Sequence, residues 1–192
     1  YTRTQAITCL HGQYDAAAHH RGRKRSNKNL KDRGYFGQHS LGSTKILAEL
    51  GAFTEVSDTL TQAHHDVSED EGVEADQLLR DAEWISEVPP DERSTIVTIR
   101  TDVSKRVKAM TKPDLGKPPP SASRTEKEAH RKKRHAAAFR QLLTADLEAI
   151  PNKLADRLDN LRDVSQLGDP ERAQALARET FEYYVPLADI LE

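Results

Sequence analysis

The sequence predicts an all-α fold, a single helical bundle of about eight helices. Apolar residues recur at helical spacing along most of the chain, and no stretch alternates steadily between turns as a β-hairpin does. Charged residues make up 31% of the 192 residues and aromatic residues only 5%, which favours helices with solvated faces around an aliphatic core. A chain of this length suits one domain, so we expect a single domain over residues 1–192.

Capping residues and helix breakers place each helix in turn. The first helix ends before a basic loop at 22–38, the second stops at Gly51, and the third begins near Thr54, a suitable N-cap. Pro89 and Pro90 separate the fourth helix from the fifth, and a Pro-rich connector within the domain, residues 113–123, precedes the sixth. Pro151 opens the seventh helix, and Pro186 should kink the eighth. The predicted helices span 4–20, 41–50, 54–66, 74–87, 92–111, 124–146, 151–162 and 170–191.

Composition also excludes several classes of protein. No apolar run approaches the roughly 18 residues that a membrane span requires, so a role in the bilayer is not expected. One cysteine, Cys9, excludes an internal disulfide and a cysteine-based zinc site, which is typical of a reducing compartment. The chain begins at Tyr1 without the residue order of a signal peptide, and we expect a cytoplasmic protein.

The net charge of −2 conceals a strong separation of charge along the chain. Residues 21–33 carry seven cations against one anion, residues 55–83 carry ten carboxylates against one cation, and residues 124–140 are basic again. Such runs are often only solvated faces. Nucleic-acid binding needs interleaved aromatic residues or a reading helix, and the first block has only Tyr35 and Phe36 at its edge, so we do not expect it. A basic loop beside an acidic, metal-collecting segment would suit an enzyme that handles polyphosphates.

Four residues distant in the sequence could converge on one ion: His39, His65, Asp66 and Asp156. Two imidazoles and two carboxylates form a mixed nitrogen and oxygen site suited to Mn²⁺, Fe²⁺ or Zn²⁺, with positions left for water or phosphate. An adjacent His-Asp pair is weak evidence by itself, because a chain with eight histidines can contain one by chance.

The neighbouring carboxylates strengthen this interpretation. Asp66, Glu69 and Asp70 are spaced i, i+3 and i+4, so a continuous helix would crowd them on one face. A metal at Asp66 would offset the repulsion and leave Glu69 and Asp70 to orient or deprotonate a bound water. Asn160 follows Asp156 at i+4, one turn from the candidate ligand.

These segments resemble a known family. His39, HHDVSED (64–70) and NKLADRLDNLRD (152–163), in that order, are similar to the hydrolase domain of the RelA/SpoT homologues, within the HD-domain metal phosphohydrolases. Further similarity lies at AHHRGRKRS (18–26), ILAELG (46–51), VKAMTK (107–112) and ARETFEYYVPLADIL (177–191). The resemblance implies an HD-type helical bundle that removes the 3′-pyrophosphate from the alarmones (p)ppGpp, releasing pyrophosphate and GDP or GTP.

The resemblance also implies a role for each site residue. It makes His39, His65, Asp66 and Asp156 the ligands of one Mn²⁺ ion, and Glu69 and Asp70 the catalytic acidic pair. Asn160 would contact the nucleotide sugar, and Lys24, Arg25 and Ser26 would belong to the basic loop that approaches the substrate, a guanosine polyphosphate.

Three departures from the family pattern leave alternatives open. A longer segment, residues 27–38, replaces the family's Gly-Glu-Pro-Tyr; Ser40 replaces a proline; and Asp159 stands where His or Tyr is expected, adding negative charge beside Asn160. One alternative is therefore a phosphohydrolase for another nucleotide, such as NADPH or a deoxynucleotide. Another is a non-catalytic helical binding module that uses the two basic blocks. The sequence does not separate a stand-alone hydrolase from a piece of a longer protein, and it does not give the oligomeric state.

Overall fold

The computed structural model describes residues 2–21, 36–52, 55–79, 85, 88–164 and 168–191, with only the backbone of Asp70 and Glu71. These ranges contain helices and no strand, so the predicted all-α fold class is confirmed. The α-helices are α1 Arg3–His19, α2 Leu41–Glu49, α3 Val56–His64, α4 Val67–Glu71, α5 Arg93–Met110, α6 Arg124–Ala145, α7 Ile150–Arg162, α8 Pro170–Glu179 and α9 Val185–Ala188. No helix of this described part is both long and apolar enough to cross a membrane.

Side-chain caps fix several of the helix starts. In α6 the Ser123 hydroxyl accepts the backbone N–H of Glu126 at 3.2 Å, while the Glu126 carboxylate accepts the backbone N–H of Ser123 at 2.7 Å. This reciprocal pair satisfies two backbone donors that a helix start otherwise leaves unpaired. Glu55 and Asp58 form the same kind of box at the start of α3. Thr54, the N-cap predicted for that helix, lies outside the described residues.

Helix α3 lies at the centre of the molecule, because every residue from Val56 to His64 is buried. It contacts α1, α2, α5 and α7. Its apolar side packs in the largest core cluster: Val56, Leu60, Val67, Ala75, Leu78, Leu79, Ile99, Val103 and Val107. A second, smaller cluster joins α2 to α7 through Ile46, Leu47 and Ala155. These two clusters hold α2, α3 and α7 together, and those helices carry the candidate site.

The third and fourth predicted helices are shorter than expected. Helix α3 ends at His64, and a turn at His65 and Asp66 leads into α4. Where the sequence predicted a helix over 74–87, residues Ala75–Gln77 form a single 3₁₀ turn, and Leu79 takes a left-handed φ of 60°. Leu78 and Leu79 are both buried in the core, and consecutive residues of a helix do not face the same way. Residues 80–84 and 86–87 lie outside the described part.

The last predicted helix is divided into several segments. Helix α8 ends at Glu179, a π-helical turn covers Thr180–Tyr184, and α9 then carries Pro186. Proline has no N–H to donate and its ring clashes with the preceding turn, so the helix widens there instead of continuing regularly. The kink that the sequence predicts at Pro186 therefore takes the form of a π-helical turn before the proline.

Candidate metal centre

Three separate segments of the chain supply the candidate ligands. The π-helical turn Phe36–Ser40 places His39 immediately before α2. The turn between α3 and α4 carries His65 and Asp66, and Asp156 lies on α7. Single π turns are rare in proteins, and those that occur are often found at functional sites. The position of His39 in such a turn fits a role in a site.

The structure brings these four side chains together. The Nε2 atoms of His39 and His65 lie 3.1 Å apart. From Asp66 Oδ2 the distances are 3.2 Å to His39 Nε2 and 3.3 Å to His65 Nε2. From Asp156 Oδ1 they are 3.4 Å and 3.6 Å to the same two nitrogens. Both carboxylates therefore lie close to the two imidazole nitrogens. Among the described residues, the set His39, His65 and Asp156 has the mutual spacing needed to hold a metal ion, and Asp66 lies beside it.

The four side chains differ in exposure. The side chains of His39 and His65 are 2% and 1% exposed and that of Asp156 is 11% exposed, whereas that of Asp66 is 21% exposed. The histidines and Asp156 thus form the buried wall of the cluster, and Asp66 lies on its more open side.

The outer nitrogen of each histidine has an oxygen partner. His65 Nδ1 lies 2.7 Å from the backbone oxygen of Gln62, and because a carbonyl only accepts, Nδ1 carries the proton. His39 Nδ1 lies 2.7 Å from the carboxylate oxygen Oδ2 of Asp159. Both rings consequently turn Nε2 toward the cluster, which is the nitrogen that a metal would need.

Two neighbours on α7 hold the Asp156 carboxylate. Asn160 Nδ2 donates to Asp156 Oδ1 at 2.7 Å and approaches the Asp156 backbone oxygen at 3.0 Å. The buried ammonium of Lys153 donates to Oδ2 at 3.1 Å. Burial lowers the pKa of Lys153, but the charge of Asp156 outweighs burial and raises it, so the ammonium stays protonated.

The crowded carboxylates change the pKa values of both histidines. Burial lowers the pKa of His39, but hydrogen bonds to Asp156, Asp159 and Asp66 outweigh it and raise the pKa to about 11. Burial likewise lowers the pKa of His65, while the Asp66 charge and hydrogen bonds to Asp156 and Asp66 raise it to about 9. Burial raises the pKa of Asp66. The charge of His65, together with the hydrogen bonds that the Asp66 carboxylate makes with both rings, outweighs burial and lowers the pKa of Asp66 well below its ordinary value. The carboxylates of the cluster are thus stabilised by positive charge, which protons or a divalent cation can supply.

The predicted catalytic pair is only partly described. Glu69 lies on α4, and its Oε1 accepts the backbone N–H of Lys112 at 2.8 Å, while Oε2 pairs with the Lys112 ammonium at 3.3 Å. Lys112 follows the end of α5, so this contact ties α4 to α5. Asp70 also lies on α4, but its side chain is outside the described part of the structure. The predicted substrate-loop residues Lys24, Arg25 and Ser26 lie outside it as well.

Sequence reasoning assigned no role in the cluster to three neighbouring residues: Lys112, Lys153 and Asp159. Lys153 and Asp159 each lie three residues from Asp156, and helical spacing places residues at i−3 and i+3 on the ligand's own face. That spacing was a usable signal for both. Lys112 meets Glu69 only through tertiary packing, and it lay unassigned in the segment VKAMTK.

Comparisons with known proteins give a family and a fold. The HD domain family matches residues 14–191. A similar solved structure is described as "A metazoan ortholog of SpoT hydrolyzes ppGpp and plays a role in starvation responses". It has 21% sequence identity and a TM-score of 0.58, and the match covers 92% of this chain and 84% of that chain. No curated protein matches this chain. At this identity, the structural likeness carries the fold alone.

Proposed function

This chain belongs to the HD domain family, and on that premise we propose that it is a metal-dependent phosphohydrolase that removes the 3′-pyrophosphate from (p)ppGpp. The products would be pyrophosphate and GDP or GTP. The observation that carries the proposal is the approach of the Asp66 and Asp156 carboxylates to the Nε2 atoms of His39 and His65, which brings three separate segments together. The fold similarity to a structure described as a ppGpp-hydrolysing SpoT ortholog supports the choice of substrate.

The four converging residues fit a divalent metal ion. They offer two imidazole nitrogens and two carboxylate oxygens, a donor set that suits Mn²⁺, Fe²⁺ or Zn²⁺, and we propose one Mn²⁺ per chain. When bound, such an ion polarises a phosphoryl oxygen and lowers the pKa of its water. Lys153 and Asn160 hold the Asp156 carboxylate in the orientation that faces both histidines.

The remaining residues act on the substrate. Glu69 and Asp70 serve as the acid and base that move protons, with Lys112 fixing the position of the Glu69 carboxylate. Lys24, Arg25 and Ser26 bind the phosphates, because a cationic loop offsets the charge of a polyphosphate. Asn160 donates to Asp156, so its contact with the nucleotide sugar would use the amide oxygen as an acceptor for a hydroxyl.

A direct assay tests this function. The purified protein incubated with ppGpp and Mn²⁺ should release pyrophosphate, and His65→Ala and Asp156→Ala should each abolish the release. His130→Ala is a matched control, because His130 lies on α6, outside the ligand cluster, and its ring Nε2 lies 3.4 Å from the backbone oxygen of Leu115. Absence of turnover with any divalent ion would overturn the proposal.

A second candidate keeps the metal centre and changes the nucleotide. The longer basic segment at 27–38 and the serine at position 40 favour it, since both depart from the family pattern beside the first ligand. NADPH and deoxynucleoside triphosphates should then be turned over faster than ppGpp when compared at equal concentration. Binding of RNA that weakens steeply with salt, with no hydrolysis of any nucleotide, would instead indicate a binding module.

A further inference from the structure

We propose that Asp159 is a positioning residue of the metal centre: its carboxylate accepts the Nδ1 proton of His39 and so directs Nε2 of that ring at the ion. The inference rests on the proposed metal centre, but it does not depend on which nucleotide is hydrolysed. It concerns a position at which this chain departs from the pattern of the family it resembles.

The contact between the two side chains is short and buried. Asp159 Oδ2 lies 2.7 Å from His39 Nδ1, and the side chains are 9% and 2% exposed. On the far side of the same ring, Nε2 lies 3.2 Å from Asp66 Oδ2 and 3.4 Å from Asp156 Oδ1. One imidazole thus connects Asp159 on its outer side with the ligand cluster on its inner side.

The packing of α2 on α7 creates this contact. Gly42 follows His39 by three residues, and Asp159 follows Asp156 by three. Gly42 therefore lies on the same side of the chain as His39, and Asp159 on the same side of α7 as Asp156. A Cβ atom at position 42 would lie 2.6 Å from Asp159 Oδ1 and 3.3 Å from its Cγ. Only glycine leaves room for the carboxylate at this place, so Gly42 and Asp159 form a complementary pair.

The choice of a carboxylate has a chemical consequence. His65 donates its Nδ1 proton to a neutral backbone carbonyl, whereas the partner of His39 carries charge. A hydrogen bond to an ionised acceptor is roughly twice as strong as a neutral one and makes the opposite ring nitrogen a better donor to a metal. Loss of such a partner typically weakens metal binding by about 10- to 100-fold.

Calorimetric titration with Mn²⁺ measures this contribution without any substrate. Asp159→Ala should weaken binding by about 10- to 100-fold, and Asp159→Asn should weaken it less, because the amide oxygen still accepts the Nδ1 proton. Glu49→Gln is the matched control, since it also removes a carboxylate that links α2 to α7, here through Arg162 at 3.2 Å, without touching a ligand. Unchanged affinity in Asp159→Ala, or an equal loss in Glu49→Gln, would overturn the inference.

A spectroscopic readout separates positioning from general support of the helix contact. In the Zn²⁺-loaded protein, nitrogen-15 correlation spectra should show His39 bound through Nε2, with an Nδ1 proton shifted strongly downfield. Asp159→Asn should move that resonance upfield, while the His65 signals stay in place. Identical His39 spectra in the wild type and Asp159→Asn would contradict the proposal, even where Asp159→Ala fails to fold.

Gly42→Ala offers an independent route to the same contact. The added methyl group should displace the Asp159 carboxylate and weaken Mn²⁺ binding as Asp159→Ala does, with little further loss in the double variant. Fully additive losses would overturn the inference. If Mn²⁺ affinity falls as expected while ppGpp is not hydrolysed, the proposed function is wrong and the role of Asp159 stands.

Discussion

At the scale of single residues, the Lys153–Asp156 pair shows how the centre tolerates its own charge. Both residues are 8% exposed and their charged atoms lie 3.1 Å apart. Burying either charge alone is expensive, so each depends on the other and on the charges of the cluster. Lys153 therefore gives Asp156 a permanent cationic partner, whether or not an ion is bound.

Replacing Lys153 with methionine should destabilise the protein by about 3–5 kcal/mol without metal, because a carboxylate is left buried without that partner. Saturating Mn²⁺ should reduce the loss, since the ion compensates the Asp156 charge. Urea unfolding with and without Mn²⁺ measures both effects. Lys45→Met is the control: its ammonium is 73% exposed and pairs with Glu49 at 3.7 Å, so a cost below about 1 kcal/mol is expected.

Metal binding at the centre should be strongly dependent on pH. Without metal, the neighbouring carboxylates raise the pKa of His39 to about 11 and that of His65 to about 9, so the cluster holds protons at neutral pH. An incoming ion must displace those protons. The affinity for the metal should therefore rise with pH from neutral to above about pH 9. Titrations in buffers with different ionisation enthalpies should show proton release at pH 7, and affinity that stays constant from pH 6 to 8 would contradict this.

The same shifts give a stability profile for the metal-free protein. A histidine pKa raised on folding stabilises the protein fully below the unfolded value of about 6.5, and this stabilisation is lost as pH rises through about 9 for His65. The lowered pKa values of Asp66 and Asp156 act oppositely, stabilising above about 4 and failing in acid. Unfolding free energies of the metal-free protein should therefore be highest between about pH 4 and 6.5 and fall on both sides.

At the scale of elements, the second core cluster links packing to the site. Leu47 is fully buried between α2 and α7, the helices that follow His39 and carry Asp156. Leu47→Ala should lower the free energy of unfolding by about 2–5 kcal/mol and also weaken Mn²⁺ binding, because the two ligands lose their common support. Leu50→Ala is the control, since Leu50 is 57% exposed. Unfolding midpoints and calorimetric titration measure the two effects.

The helices that sequence reasoning placed well are those with clear caps and breakers. The bounds of α1, α2, α5, α6 and α7 follow the predicted spans to within a residue or two, because signals such as Gly51 and Pro151 act locally. The failure at 74–79 has a tertiary cause, because Leu78 and Leu79 both enter the core. The π turn at 180–184 is a local effect of Pro186, and sequence reasoning predicted a kink there without its form.

Within the site, the sequence carried the identity of the converging residues but not their surroundings. The resemblance and the residue chemistry pointed to His39, His65, Asp66 and Asp156, and the structure places those four together. The spacing along α7 places Asp159 on the face of Asp156, but its contact with His39, like the contact of Lys112 with Glu69, depends on how the helices pack against one another. Asp159 was considered only for its charge beside Asn160, whereas its carboxylate lies against His39.

At the scale of the whole molecule, the proposed ion should stabilise the fold. An ion that binds only the folded state adds about 2.7 kcal/mol at 100 times its dissociation constant, which corresponds to roughly 5–10 °C in Tm for a domain of this size. Adding a chelator to the Mn²⁺-loaded protein should lower the Tm by about that amount, and excess Mn²⁺ should restore it. A Tm unaffected by both treatments would contradict the presence of a metal centre.

The ligand positions also have a consequence for biosynthesis. His39 and Asp156 are separated by 117 positions (156 − 39), and Lys153, Asp159 and Asn160 lie close to Asp156. Because a ribosome delivers the chain from its N-terminus, the first imidazole is made long before the carboxylate that completes the cluster. A nascent chain therefore lacks the complete set of candidate ligands until α7 has been synthesised and has packed against α2. Acquisition of the ion would be one of the last events in maturation.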